Sequence, residues 1–155
     1  MTIQEFYRRR LARKAALASI DDLSIQFEKV KSIFSPPPYL DYNGPTPNDT
    51  ISIAAPSESF TLTPSTPPPS EDTEDTIENS KSSPDLAFTS NNKVVHGYIE
   101  NLNRLLIQLD RVESGGDALV REQRKQMIEN VEGEAQRIDR WIETVWNLAQ
   151  PETPG

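Results

Sequence analysis

The chain has 155 residues, 35% of them hydrophobic, with 13 prolines, no cysteine and a formal net charge of −8. That length holds one small domain plus tails, and the lack of cysteine excludes a disulfide framework and a thiolate metal site. The charge is uneven: residues 1–34 carry +3, 35–90 carry −8 and 91–155 carry −3. An acidic chain without a broad basic face is poorly suited to nucleic acid, and no apolar run approaches the roughly 18–20 residues of a membrane span.

Residues 1–34 read as a helix. Thr2 and Glu5 have the spacing of a capping box, in which each side chain satisfies a backbone donor of the first turn. Ile20, Leu23, Phe27, Val30 and Phe34 recur at 3-4 spacing and share one helical face. The run stops at Ser35-Pro36-Pro37-Pro38, because proline lacks the backbone donor and clashes with the preceding turn. The basic start (Arg8, Arg9, Arg10, Arg13, Lys14) lacks the compact apolar core of a secretory signal. Glu5 and Asp21-Asp22 weigh against a mitochondrial presequence. Five cations with weak flanking hydrophobicity bind a membrane surface poorly alone, so no membrane partner is expected.

Residues 35–90 hold eleven prolines, many Ser and Thr, and the acidic cluster Glu71-Asp72-Thr73-Glu74-Asp75. This composition reads as a disordered acidic linker. Ile51-Ser52-Ile53 and Phe60-Thr61-Leu62 are short apolar islands able to pair transiently, with nothing to support a stable sheet.

Residues 91–149 read as a helical hairpin. Val95, Tyr98, Leu102, Leu105, Leu109 and Val112 form an unbroken stripe, and Ser114-Gly115-Gly116 ends the helix where glycine tolerates a left-handed cap. Asp117 can then cap the next helix, whose stripe runs Val131, Ala135, Ile138, Ile142, Val145 and Ala149, flanked by Met127, Ile128, Trp141 and Trp146. Residues 150–155 are a tail. Two helices alone bury little. Docking the first helix adds about five large side chains, roughly 7–15 kcal/mol gross, against about 3.5 kcal/mol plus a constant for closing the linker. The expected fold is therefore all-α: an antiparallel three-helix bundle with a long disordered insertion between its first and second helices.

No catalytic constellation is visible. His96 is the lone histidine, off the apolar stripe, and reads as a solvated surface residue. Gly115-Gly116 is a hairpin turn rather than a phosphate cradle. An enzyme, a cofactor and a metal are not expected. Arg124 points within about 20° of the apolar stripe, so its guanidinium needs an anion, either Asp110 or Glu113 within the fold or one on a partner. Trp141 and Trp146 read as core or rim of the bundle.

The stretch Leu105-Leu106-Ile107-Gln108-Leu109-Asp110-Arg111-Val112-Glu113, then Gly116-Asp117, Arg121, Arg124-Lys125 and Ile138-Asp139, resembles the BAG domain over roughly residues 91–146. Ile20-Asp21-Asp22-Leu23 through Phe34 resembles the first helix of such bundles less specifically. The resemblance implies a co-chaperone that binds the ATPase domain of heat shock protein 70 (DnaK-type) chaperones. It favours an opened nucleotide cleft and so acts as a nucleotide exchange factor for ADP. The alternative is a non-catalytic helical adaptor without exchange activity. Carried over by motif, the acidic partner contacts fall on Glu100 and Asp110 and the basic ones on Arg124 and Lys125. Where the family often has a glutamine, this chain has Glu132, a carboxylate that cannot donate a hydrogen bond. A monomer is expected, in the cytoplasm first, then the nucleus, ahead of mitochondria.

Overall fold

A computed structural model describes residues 2–61 and 83–150. In chain order its elements are helix α1 (Ile3–Ile33), strands β1 (Tyr39–Asn43) and β2 (Thr50–Ala54), and helices α2 (Ser57–Thr61), α3 (Lys93–Asp110) and α4 (Ala118–Ala149). They form two compact units. One combines residues 1–34 with 100–132, and the other combines 35–99 with 133–155.

The first unit holds α1, the C-terminal part of α3 and the N-terminal part of α4. The predicted capping box opens α1: the Glu5 amide donates to Thr2 Oγ1 at 3.3 Å and the Thr2 amide donates to Glu5 Oε2 at 3.1 Å. Ile20, Leu23 and Phe27 of the predicted stripe are buried, while Val30 and Phe34 are half-buried. The Phe34 amide still reaches the Val30 carbonyl, and the prolines that follow end the helix. Leu102, Leu105 and Leu109 of α3 and Val120, Met127 and Val131 of α4 complete this core. Gly115 (φ +57°) and Gly116 (φ +81°) make the left-handed turn between α3 and α4. Asp117 caps α4, its Oδ1 accepting from the Leu119 and Val120 amides at 2.9 and 3.1 Å. Its Oδ2 takes the Nε hydrogen of Arg13, a contact that joins α1 to the start of α4.

The second unit corrects two sequence expectations. β1 and β2 pair antiparallel from Tyr39↔Ala54 to Asn43↔Thr50, and Leu86 bridges Tyr42 from the other side. The chain is thus predominantly helical with a small sheet, not all-α, and residues 35–61 and 83–90 carry ordered, partly buried structure in place of a linker. Within that segment, residues 62–82, including the acidic cluster and Leu62, lie outside the described residues. The sheet escaped notice for a physical reason. The strands are only five residues each and are set among prolines, so their short alternations, Leu40-Asp41-Tyr42-Asn43 and Ile51-Ser52-Ile53, carry little weight. Asp41 is buried between Leu40 and Tyr42 against that pattern. Tyr42 is fully buried: its ring tilts against Trp146 at 5.0 Å and its hydroxyl donates to the Ile142 carbonyl at 2.6 Å. Phe60 of α2 meets Trp141 edge-on at 5.4 Å, and the Trp141 indole N–H donates to Ser59 Oγ at 2.9 Å.

A buried polar clamp fixes the hairpin to the start of α3. Asn92 is fully buried. Its Oδ1 accepts from the Asp41 amide at 3.1 Å, and its Nδ2 donates to the carbonyls of Asp41 (2.6 Å) and Ala87 (2.8 Å). The Asp41 carboxylate in turn accepts from Ser52, Thr89 and Asn91. Without these partners each buried group would carry its full desolvation penalty. His96 also departs from its expected solvated role. It is half-buried, within hydrogen-bond distance (3.1 Å) of the Ala87 carbonyl, and its ring stacks on Phe88 at 4.7 Å. Ala149, placed on the α4 stripe by its spacing, is exposed. Among the described residues, no helix is long and apolar enough to cross a membrane.

Candidate functional site

The residues singled out by motif, Glu100, Asp110, Arg124, Lys125 and Glu132, all fall in the first compact unit. Two stand on α3 and three on α4. Glu100 and Asp110 lie about 80° apart around the helix axis, and Lys125 and Glu132, seven residues apart, only about 20°. All except Arg124 are exposed.

Their electrostatic situations differ. Glu100 accepts from Arg104 one turn later at 2.7 Å, with both side chains exposed. Such a pair contributes little to stability and is easily exchanged for a partner's charge. Asp110, Lys125 and Glu132 make no hydrogen bond or ion pair with any described residue. Arg124 is the exception, and its partner is neither of the carboxylates the sequence offered but a neutral carbonyl. Its half-buried guanidinium donates to the Val112 carbonyl at 2.7 Å, just past the end of α3. A carbonyl left over at a helix terminus is a natural acceptor for a cation, so this contact is structural support for the hairpin turn. Lys125, beside it in sequence, keeps its ammonium in water.

The structure also assembles polar groups that spacing could not pair. Tyr98 donates to Glu134 Oε1 at 2.7 Å, and Arg137 approaches the same oxygen at 3.5 Å. Glu134 is 5% exposed, so its charge is held by partners rather than by water. Arg137 also donates to the Phe60 carbonyl at 3.0 Å, with its guanidinium 4.1 Å from the Phe60 ring centroid. These contacts hold α2 and α4 together and are architectural. In the second unit, His96, Phe88, Asp139 and Glu143 line a cleft of about 530 Å³. Partial desolvation of the Asp139 carboxyl pushes it above its ordinary value. The Ile138-Asp139 pair was legible as a motif, but the cleft was not, because its other wall comes from residues 83–88.

Chemically, the described residues offer charges of both signs on helical surfaces and no nucleophile held by a base. The histidine faces a carbonyl oxygen, and no group of three or more His, Cys, Asp or Glu is placed to hold a metal ion. Residues 70–141 match the family model of the BAG domain. The matched stretch begins well before α3, contains all of α3 and most of α4, and does not reach α1. No curated protein and no solved structure matches the chain.

Proposed function

We propose, on the premise of the BAG domain in residues 70–141, that this chain is a cytoplasmic co-chaperone. It binds the ATPase domain of a heat shock protein 70 chaperone and speeds ADP release. The single observation that carries this reading is the family match. It is supported by the exposed charges of the first unit: Asp110, Lys125 and Glu132 have no internal partner, and Glu100 has one that solvent screens. A ligand opens a nucleotide cleft only by binding the open state more tightly than the closed one. Surface charges not committed to the chain's own stability are available for that differential contact. The bundle formed by α1 with α3 and α4 is the frame on which these residues are held.

The test is release of a fluorescent ADP analogue from a chaperone ATPase domain, with and without the chain. Lys125→Glu reverses an exposed, unpartnered charge. It should weaken acceleration by about 30-fold or more, since losing one partner of a desolvated charge pair costs about 2–5 kcal/mol. Its melting temperature should stay within a degree or two of the parent. Arg124→Glu is a different experiment, because it also removes the donor to the Val112 carbonyl and lowers stability. A chain that binds the ATPase domain without changing ADP release would be an adaptor. A Lys125→Glu variant as active as the parent would remove that residue from the contact.

A further inference from the structure

The N-terminal half of α1 carries an apolar face that the fold does not use. Ile3 (80%), Phe6 (57%), Tyr7 (60%) and Leu11 (63%) are largely exposed although all four are large and apolar. At about 100° per residue they fall within one sector roughly 140° wide. The packing face of the same helix, given further along by buried Ile20, Leu23 and Phe27, is centred about 140° away. The helix thus has two apolar stripes on different sides. The one in its second half is covered by the chain itself and the one in its first half faces water.

The charges around the second stripe decide what covers it. Arg10 and Lys14 project from within the apolar sector, and Arg8 and Arg9 flank it, each about 60° beyond one of its edges. None of these four cations has an anionic partner among the described residues, whereas Arg13 is committed to Asp117. Glu5, the one acid in this half, points about 175° from the stripe's centre and is tied up in the capping box. A protein groove swallowing this face would desolvate Arg10 and Lys14. A bilayer surface does not, because their aliphatic stems lie against the acyl boundary while their charges rise to the phosphates. Counted along the chain the flanking hydrophobicity is weak; gathered on one side of a helix beside free cations, it is not.

We infer that residues 3–14 are a peripheral membrane anchor that lies in the plane of an anionic bilayer surface. Phe6, Tyr7 and Leu11 enter the headgroup boundary, and Arg8, Arg9, Arg10 and Lys14 take the lipid phosphates. The cytoplasmic leaflet supplies the negative potential such a segment needs. The inference does not depend on the chaperone reading, since no residue of the α3–α4 surface enters it.

Flotation of the full chain with vesicles tests it. Vesicles about one-third phosphatidylserine in phosphatidylcholine should bind at least about tenfold more tightly than phosphatidylcholine alone, and the binding should fall as salt rises. Phe6→Ser with Leu11→Ser leaves the charge unchanged and should weaken binding about tenfold or more. Arg8→Gln with Arg9→Gln should weaken it and flatten the salt dependence. Should the first pair lower the melting temperature, Ile3→Gln with Tyr7→Gln repeats the measurement on the other half of the stripe. The inference is overturned if the chain does not float with anionic vesicles. It also fails if the apolar variants bind as the parent does, or if a DNA duplex of matched phosphate concentration is held more tightly than the vesicles.

Discussion

Asn92→Ala is the sharpest test of the clamp between the hairpin and α3. The side chain sits fully buried and makes three hydrogen bonds to main-chain groups, one at Asp41 N, one at Asp41 O and one at Ala87 O. Truncation leaves the Asp41 amide without a partner, at about 1–3 kcal/mol of desolvation when it stays dry. It also takes one of the donors from each of two carbonyls that keep another, the Ala87 amide at Asp41 and the Thr89 amide at Ala87, at about 0.5–1.5 kcal/mol apiece. Water entering the vacated space recovers part of this, so a net loss of about 3 kcal/mol is expected. A ~150-residue chain loses about 2–4 °C of melting temperature per kcal/mol, which translates to roughly 6–12 °C. Thermal unfolding followed by circular dichroism reads the effect, and hydrogen exchange at Ala87, whose amide donates to Asp41, reads it locally. Asn91→Ala is the internal control. Its amide reaches the same aspartate from an exposed position, so its loss should stay below about 1 kcal/mol. Equal melting of the two variants would mean that residues 39–43 are not held against α3 and that the segment behaves as the linker its composition suggests.

Two further outcomes are expected. Phe27→Ala should lower stability by about 3–5 kcal/mol, because the ring is 4% exposed, while Ile25→Ala on the open side of α1 should change little; equal unfolding curves would show that α1 does not pack. For Asp41, burial pushes the carboxyl up, but the hydrogen bonds from Ser52, Thr89 and Asn91 outweigh it and hold it below its ordinary value of 3.8. A depressed carboxylate stabilises the fold above its unfolded value. Its share should therefore be lost as pH falls from about 4 through the folded value, and Thr89→Val should flatten that acid limb of a pH titration of stability.

The helices were legible because their signals are local and periodic. Thr2 and Glu5, the 3-4 stripes of α1 and α3, Gly115-Gly116 and Asp117 each act within a turn or two of chain, and each recurs in the structure in the role its spacing implies. The sheet was not legible because its stabilisation is non-local. Tyr42 is held by Ile142, a hundred residues on, and Asp41 by Asn92. The prolines and Ser/Thr residues around them carry the composition of a linker. For the site, spacing identified which charges stand on α3 and α4. It turned Arg124 toward the apolar stripe but could not name the Val112 carbonyl as its acceptor, because that contact depends on the path of the chain through the turn. Nor could it show that α1 has a second apolar face, because stripes on different sides blur any single helical periodicity.

The turn between α3 and α4 has a stereochemical consequence. At both Gly115 and Gly116 the backbone is left-handed, yet a Cβ built on either would meet no atom within 4 Å. Handedness alone, with no steric crowding, therefore reserves these positions for glycine. An L-alanine there carries roughly 1–2 kcal/mol of left-handed backbone strain. Its mirror image finds the same dihedral angles natural, and it also narrows the unfolded chain's freedom, a gain of about 0.4–1 kcal/mol. In a semisynthetic chain, D-alanine at 115 or 116 would thus tighten the hairpin that carries Asp110 and Lys125 without adding a single contact. The same hairpin would be loosened by the L-enantiomer, giving a pair of molecules identical in composition that differ only in how firmly α3 and α4 are joined.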